Sequence, residues 1–235
     1  MNRPIRGVAV KVFGDYACFS RPEFKVERVS YAVPTPSAAR GILEAIFWKP
    51  EFRYEIREIH ILKLGTQVSI LRNEIADRQS HKPITVEHAR QQRTSLILKD
   101  VAYVIRAELL LRGAEAEPGT YLDQFNRHLE KGRCHHTPCL GTREFAAAFE
   151  PPGDEDCGER QNPGLTLNLG SMLFEIAYVR GGASEIQFWK GSGEGREIVT
   201  GHAVPLFFNA SIQAGVLSVR EAEYKRLYAL EDGNA

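Results

Sequence analysis

The stretch "SYAVPTPSAARGILEAIFWKP", residues 30–50, predicts a short helix with defined ends. Its two prolines keep the approach to the helix extended, because a residue before proline avoids the helical region. Ser37 is the predicted N-cap, since its hydroxyl can accept a hydrogen bond from a free N–H of the first turn. Pro50 ends the helix at or before Lys49. One apolar face predicts packing against a sheet, and it contains Ala39, Ile42, Leu43, Ile46 and Phe47.

Segments outward from this helix alternate apolar and polar side chains, which predicts strands. The predicted strands cover residues 7–19, 52–64, 101–112 and 143–151. Residues 65–100 are polar, and we predict an irregular insertion there. With a second helix over residues 119–132, the order is β-α-β-β-α-β. This order is typical of an α+β, ferredoxin-like (RRM-like) domain.

The second helix, "GTYLDQFNRHLEKG", is amphipathic. Thr120 and Asp123 have capping-box spacing, and Gly132 is the predicted stop. The predicted buried face consists of Tyr121, Leu122, Phe125 and Leu129.

Two domains are predicted. Residues 1–150 form the ferredoxin-like domain, with residues 65–100 as its insertion. Residues 151–235 form a small β-rich subdomain, with strands in "SMLFEIAYV" and "EIQFWK" and a helical tail from Glu221. "GSGEG", residues 191–195, is predicted to be a hairpin loop.

The overall charge gives no indication of a polyanionic partner. The 235 residues contain 30 Lys and Arg against 30 Asp and Glu, so only a local basic surface could bind nucleic acid. No run of eighteen apolar residues predicts a membrane span. The N-terminus lacks an apolar signal core, and four scattered cysteines are too few for a disulfide scaffold. We therefore expect a cytoplasmic protein with no membrane partner.

Two basic clusters are candidate RNA contacts. The first, in the loop before the quoted helix, contains Arg21, Lys25 and Arg28, and the second contains Lys131 and Arg133. Each could equally be a solvated charged loop. Trp48 is predicted to be either a core residue or a stacking surface.

"CHHTPC", residues 134–139, combines two cysteines with adjacent histidines. This spacing is unusual for structural zinc, and no second cysteine pair follows at a suitable distance. We predict no metal site. His135 and His136 could instead contact phosphate or transfer a proton near neutral pH.

Several stretches together resemble one family, the fifth class of CRISPR-associated proteins in subtype I-C (d-type), within the RAMP superfamily. The matching stretches are "GDYACFSRPE", "KVERVSYAVPTPSAARGILEAIFWKP", "LRNE", "RQQR", "LKDVAYVI" and "HTPCLGTREF". They run in the family's order from residue 14 to 145, and the unbroken block over residues 25–50 is the most specific. "PLFFNASIQAGVL" is the main match in the C-terminal third.

The resemblance implies a subunit of the Cascade surveillance complex that binds the 5′ handle of the guide RNA (crRNA). Its implied partners are crRNA or its precursor, the backbone and large Cascade subunits, and target DNA through the complex. Many members also cut the precursor without a metal or cofactor. A base activates the 2′-OH, which attacks the adjacent phosphate, while a cation or acid assists departure of the 5′-oxygen.

The family's catalytic positions differ here. Its catalytic aromatic or imidazole precedes Trp-Lys-Pro, where this chain has Phe47, and its Lys-His pair corresponds to Thr120 and Tyr121. Phe47 cannot exchange a proton, whereas Trp48 and Lys49 keep the family's setting. The remaining catalytic candidates are Tyr121, His135 and His136. The RNA-binding candidates are Arg21, Lys25, Arg28, Trp48, Lys49, Lys131 and Arg133. A non-catalytic structural cap and a generic RNA-binding module are the alternatives.

Overall fold

The computed structural model describes residues 5–24, 26–77, 81, 83–112, 118–157, 162–182, 186–190 and 197–233. Its elements are β1 (Ile5–Ala17), β2 (Arg28–Val29), α1 (Pro36–Ile46), β3 (Phe52–Lys63), β4 (Thr66–Ile75), α2 (Val86–Ala89), β5 (Arg90–Leu111), α3 (Pro118–Glu130), β6 (Ala148–Glu150), α4 (Asp154–Cys157), β7 (Leu167–Arg180), β8 (Ile186–Lys190), β9 (Glu197–Gln213), β10 (Val216–Ser218) and α5 (Glu221–Glu231). The chain is therefore a mixed α and β protein with few helices.

The strands of the described ranges form a ten-stranded sheet with the order β6-β1-β5-β3-β10-β9-β7. Neighbours along this path pair antiparallel. Strands β2 and β4 add to β5, and β8 adds to β9. Since β10 pairs with both β3 and β9, the C-terminal strands continue the sheet formed by the earlier ones.

Helix α1 has the predicted buried face but a different N-cap. The Thr35 hydroxyl, not Ser37, accepts a hydrogen bond from the Ala38 N–H at 3.1 Å. Pro36 occupies the first turn, where its missing N–H costs no hydrogen bond. The cap therefore lies on the residue before the proline. The helix ends at Ile46, and Phe47 is its C-cap.

The prediction that residues 65–100 are irregular is wrong, because strand β4 and the first part of β5 form a long antiparallel hairpin there. Their register runs from Thr66 opposite Lys99 to Ile75 opposite Arg90. Side chains along β4 alternate between exposed and partly buried positions. Its partly buried face carries the charged residues Arg72 and Glu74, so no continuous apolar face identifies the strand. Its backbone is instead satisfied by pairing with a strand far along the sequence.

The predicted strand over residues 143–151 is present only as β6, Ala148–Glu150. The preceding segment turns back toward β1, and the Cys18 N–H donates to the Leu140 carbonyl at 2.9 Å. Gly141 has a φ of +92°, and a Cβ there would lie 1.9 Å from the Cys18 carbonyl oxygen. This close contact between backbones requires glycine at 141. The predicted strand is interrupted by the turn that follows, in which the Phe145 N–H donates to the Thr142 carbonyl at 3.1 Å.

Helix α3 packs against the sheet through its predicted face. Phe125 and Leu129 are buried, and Tyr121 and Leu122 are partly buried. The helix begins at Pro118, so Thr120 lies within the first turn and not at the N-cap. Its C-terminal stop at Gly132, which has a φ of +59°, is confirmed.

The C-terminal third is β-rich as predicted, with β7 and β8 in the expected segments and α5 beginning at Glu221. The predicted hairpin loop over residues 191–195 lies outside the described residues. In the ranges that the structure covers, no helix has the length and apolar character needed to cross a bilayer.

Candidate functional site

A cluster of rings surrounds Phe47 at the C-terminal end of α1. Phe47 is only 1% exposed. Its ring centroid lies 5.6 Å from that of Phe52, 5.3 Å from His128 and 6.3 Å from His135. The two imidazoles are themselves 5.8 Å apart. Phe47, which the resemblance aligns with the family's catalytic residue, is therefore a buried apolar ring with two imidazoles beside it.

The histidine loop is fixed to α1 by its backbone. The N–H groups of His135 and His136 both donate to the Ala45 carbonyl, at 2.9 and 3.1 Å. This carbonyl lies in the last turn of the helix, where it has no partner within the helix. The Arg133 N–H closes the end of α3 by donating to the His128 carbonyl at 2.8 Å. The ends of α1 and α3 are thus held together by the loop that carries the histidines.

An open groove of about 470 Å³ lies beside this loop, with Glu44, Trp48, His135 and His136 among its lining residues. Trp48 is 42% exposed. The sequence predicted that Trp48 is either a core residue or a stacking surface, and the structure places it at the surface. An exposed indole beside two exposed imidazoles is suited to stacking on an unpaired base.

His128 is a candidate that the sequence interpretation missed. It is partly buried on α3, and its Nδ1 is buried without a hydrogen-bond partner among the described residues. Tyr121, Phe125 and His128 are spaced i, i+4 and i+7, so they share one helical face. That spacing was visible in the sequence and could have placed His128 beside the predicted Tyr121.

Tyr121 belongs to the ring cluster but does not line the groove. Its ring centroid is 5.2 Å from that of Phe52. Burial, and secondarily the negative charge of Glu51, raise the pKa of its phenol. The phenol is therefore protonated at neutral pH, where it can donate a hydrogen bond but cannot act as a base.

Three of the predicted RNA-binding cations surround this region at the surface. Lys49, Lys131 and Arg133 are exposed, and none forms an ion pair with the residues that the structure describes. Lys49 directly follows Trp48, and Lys131 and Arg133 precede the histidines. Unpaired cations at these positions can bind phosphate groups.

The cations of the first predicted cluster have intramolecular partners. Arg28 forms ion pairs with Glu144 at 2.9 Å and Glu74 at 3.8 Å. The Arg21 guanidinium lies 4.8 Å from the centroid of the Tyr31 ring. Lys25 lies outside the described residues. The guanidinium groups of Arg21 and Arg28 are therefore less available to phosphate than the ammonium group of Lys49.

The cysteines of "CHHTPC" are free thiols, with Cys134 exposed and Cys139 partly buried. Among the described residues, no group of three or more His, Cys, Asp or Glu side chains is arranged to hold a metal ion.

Comparison with known proteins places this chain in a family. The model of the CRISPR-associated protein family Cas_Cas5, in its Cas5d form, matches residues 7–220. The chain belongs to the Cas5d family. It is 58% identical to the CRISPR pre-crRNA endoribonuclease Cas5d of Thermus thermophilus, over 96% of both chains. It is 36% identical to the protein of the same name from Mannheimia succiniciproducens, over 90% of this chain and 94% of the relative.

The fold is shared with a solved Cas-type structure. A crystal structure of a CRISPR-associated protein matches with a TM-score of 0.63 at 20% identity, over 94% of both chains. The resemblance to the subtype I-C, d-type family that the sequence motifs indicated is confirmed.

Proposed function

We propose that this protein is the Cas5d subunit of a type I-C Cascade complex, where it binds the 5′ handle of crRNA. We further propose that it cuts the precursor at each repeat without a metal ion. Two Cas5d relatives named pre-crRNA endoribonucleases, matched over nearly their full length, support this function. The other Cascade subunits, and target DNA through them, are its proposed partners.

The proposed domain division is a ferredoxin-like domain over residues 1–150 and a β-rich subdomain over residues 151–235. The sheet order β6-β1-β5-β3, with every neighbouring pair antiparallel, supports the ferredoxin-like assignment. Helices α1 and α3 connect the strands in a split β-α-β order. Strand β4, helix α2 and the first part of β5, over residues 90–99, form the insertion between the second and third of these strands.

The chemistry we propose is transesterification by groups of the groove and of the ring cluster beside it. An imidazole, from His135 or His136, accepts the proton of the 2′-OH, and the 2′-oxygen attacks the adjacent phosphorus. The bond to the 5′-oxygen breaks, and that oxygen receives a proton from a second imidazole, which is the other histidine of the loop or His128, whose ring centroid lies 5.8 Å from that of His135. The products carry a 2′,3′-cyclic phosphate and a 5′-OH.

The other candidate residues bind or orient the RNA. Lys49, Lys131 and Arg133 neutralise phosphates, and Trp48 stacks on a base beside the cut. Tyr121 is proposed as a hydrogen-bond donor only, because the raised pKa of its phenol keeps the proton bound. Arg21, Lys25 and Arg28 are kept as weaker proposals for the handle, given the ion pairs of Arg28.

One observation carries the catalytic proposal. The imidazoles of His128 and His135 both contact Phe47, which stands where the family has its proton-transferring residue. Proton-transfer groups are therefore present beside that position although the position itself has none.

A cleavage assay with the cognate repeat RNA in EDTA tests this proposal. We expect cleavage at a single site, with a 2′,3′-cyclic phosphate identified by mass spectrometry. A repeat with a 2′-deoxy nucleotide at that site is the matched substrate control, and it should bind with the same affinity without being cut. Binding without cleavage of the all-ribose RNA would favour the alternative of a structural cap, which the apolar Phe47 supports. If the protein does not bind the repeat RNA, both the endoribonuclease proposal and the structural-cap alternative are overturned.

A further inference from the structure

The groove beside the histidine loop has a carboxylate in its lining. The described residues that line it are Gly41, Glu44, Ala45, Trp48, His135 and His136. No lysine or arginine belongs to this set, so the exposed cations of the neighbouring segments lie outside it. Because a carboxylate repels a phosphate group, the groove is better suited to an uncharged part of the RNA, which is a base.

The carboxylate of Glu44 keeps negative charge although it forms an ion pair. Arg40 donates a hydrogen bond to Glu44 Oε1 at 2.7 Å, and it donates two others to Glu175, at 2.7 and 3.0 Å. A single guanidinium is therefore shared by two carboxylates, which leaves the three groups with a net negative charge. The side chain of Glu175 is only 3% exposed, whereas that of Glu44 is 28% exposed. The accessible part of this negative charge therefore lies on Glu44.

The second carboxylate oxygen of Glu44 is available to a ligand. Arg40 donates to Oε1, and Oε2 accepts no hydrogen bond from the residues that the structure describes. An ionised carboxylate only accepts hydrogen bonds, and its two oxygens offer about four acceptor positions. Glu44 can therefore accept hydrogen bonds from a ligand without giving up its ion pair with Arg40.

The other lining residues suit a flat ring. Gly41 and Ala45 are one helical turn apart on α1, so they lie on the same face of the helix. A Cβ added at Gly41 would meet nothing within 4 Å, which shows that the space beside this residue is open. Trp48, His135 and His136 contribute exposed rings. Small residues next to exposed aromatic rings leave room for one unpaired base to stack.

The donors and acceptors of the four bases decide which of them a carboxylate prefers. On its Watson–Crick edge, guanine has two adjacent donors, the N1–H and the N2 amino group. Adenine and cytosine each have an amino donor next to an acceptor nitrogen, which a carboxylate repels. Uracil has a single N–H between two carbonyl oxygens. Guanine is therefore the base that can donate two parallel hydrogen bonds to an acceptor-only group such as Glu44.

We propose that Glu44 makes the groove selective for an unpaired guanine of the repeat RNA beside the cut. The guanine stacks on Trp48 and donates hydrogen bonds from N1 and N2 to the Glu44 carboxylate, and the flanking phosphates stay outside the groove. This inference rests on the proposed function, because it assumes that repeat RNA occupies the groove. It adds a specificity-determining residue to a site whose other groups act on the phosphate and the 2′-OH, which every nucleotide has.

Equilibrium binding of repeat RNAs to the full chain, with each unpaired guanine replaced in turn by inosine, tests the inference. Inosine lacks only the N2 amino group, so the ring still stacks but one hydrogen bond to a charged acceptor is lost. At one position we expect binding to wild type to weaken about 10- to 100-fold. That position should adjoin the cut mapped by mass spectrometry in EDTA.

The variant Glu44→Gln assigns the effect to the carboxylate. Its amide oxygen can still accept from Arg40, but its NH₂ group is a donor and cannot accept from guanine. We expect this variant to bind guanine and inosine RNAs equally at the sensitive position. Glu87→Gln is the matched control, because it changes an exposed glutamate of α2 that does not line the groove. It should discriminate as wild type does.

The inosine series uses unaltered protein, so it tests the inference even if Glu44→Gln does not fold. In that case, 6-thioguanosine at the sensitive position should crosslink to the wild-type peptide that contains Trp48. Equal affinity for every inosine RNA, an equal inosine effect in wild type and Glu44→Gln, or crosslinks outside α1 and the histidine loop would overturn the inference and leave the proposed function standing. Absence of any RNA binding by wild type would overturn both.

Discussion

At the residue scale, the chemistry depends on which proton-transferring groups lie beside Phe47. The phenol of Tyr121 packs on Phe52 and is protonated at neutral pH. The imidazole of His135 packs on Phe47 and lines the groove. An unperturbed imidazole has a pKa of about 6.5, so it can lose and gain a proton at working pH. The histidine loop is therefore better placed for catalysis than Tyr121.

The substitution Tyr121→Phe should have little effect on cleavage. It removes one neutral hydrogen-bond donor, which is worth about 0.5–1.5 kcal/mol, so we expect a rate loss of about tenfold or less. Single-turnover cleavage rates over a range of pH measure this effect, and the shape of the profile should stay the same. Loss of the alkaline limb of the profile in Tyr121→Phe would show that the phenol transfers the proton.

At the element scale, the cap of α1 provides a stability test. Thr35→Ala removes the hydroxyl that accepts the Ala38 N–H, and we expect it to lower the free energy of unfolding by about 1 kcal/mol. Urea denaturation measures the change. Ser37→Ala is the matched control, since Ser37 makes no such cap, and we expect a change within about 0.5 kcal/mol. A larger loss in Ser37→Ala than in Thr35→Ala would contradict the observed cap.

The β4–β5 hairpin is held by a network of charged groups centred on Glu144. Arg72 donates to both carboxylate oxygens of Glu144, at 2.7 and 2.6 Å, and Arg28 donates at 2.9 Å. The hydrogen bond from Arg72, followed by the charges of both arginines, lowers the pKa of Glu144. A lowered pKa stabilises the folded state above the ordinary range for glutamate, and this contribution is lost as pH falls through the lowered value.

We therefore expect the difference in Tm between wild type and Glu144→Gln to depend on pH. Wild type should have the higher Tm at pH 7, and the difference should disappear as the pH falls below the ordinary range for glutamate. Thermal unfolding at several pH values across that range measures the difference in Tm. Glu221→Gln is the control, because it removes an ion pair with Lys225 that is exposed to solvent. Its effect on the Tm should be smaller. A difference that stays constant with pH would show that Glu144 does not act through its charge.

The elements that the sequence predicted correctly are those with a one-sided apolar pattern. Helix α1 buries side chains along one face, and the apolar residues at the start of β3, Phe52, Tyr54 and Ile56, alternate with charged ones, so their periodicity identifies them. Strand β4 has polar residues on both its exposed and its partly buried face, and its partner lies at residues 90–99. Such a strand depends on long-range pairing, which no local pattern contains.

The candidate site was predictable in part, because some of its residues belong to short sequence motifs. Trp48, His135 and His136 are adjacent to recognisable motifs, and the structure brings them together in the groove. The sequence interpretation missed His128, because a single polar residue in an amphipathic helix gives no local sign of a functional role. The partners of Arg28 lie at residues 74 and 144, so only the fold could show that its charge is engaged.

At the scale of the whole molecule, a chain with no net charge must concentrate its cations locally to bind RNA. The exposed cations Lys49, Lys131 and Arg133 lie close in the sequence to Trp48 and His135, which line the groove. Replacing all three by Ala should weaken handle binding and reduce the slope of log K against log salt by about 2, since each phosphate contact on a single strand contributes about 0.7.

The double variant Arg21→Ala/Arg28→Ala is the comparison for this triple variant. Its arginines contact Tyr31, Glu74 and Glu144, so the slope should change by less than in the triple variant. Filter binding at several salt concentrations measures both. An equal or larger change in the double variant would place the handle on the loop before α1 instead.

The most direct test of the central claim, that the histidine loop beside Phe47 carries out the cleavage, is the single-turnover rate of His135→Ala in EDTA. Loss of a positioned proton-transfer group should slow cleavage about 10²- to 10⁴-fold, with binding of the repeat RNA unchanged. His88→Ala, an exposed histidine on α2, is the control and should cleave at the wild-type rate. Wild-type cleavage by His135→Ala, by His136→Ala and by His128→Ala would contradict the claim and place the active site elsewhere.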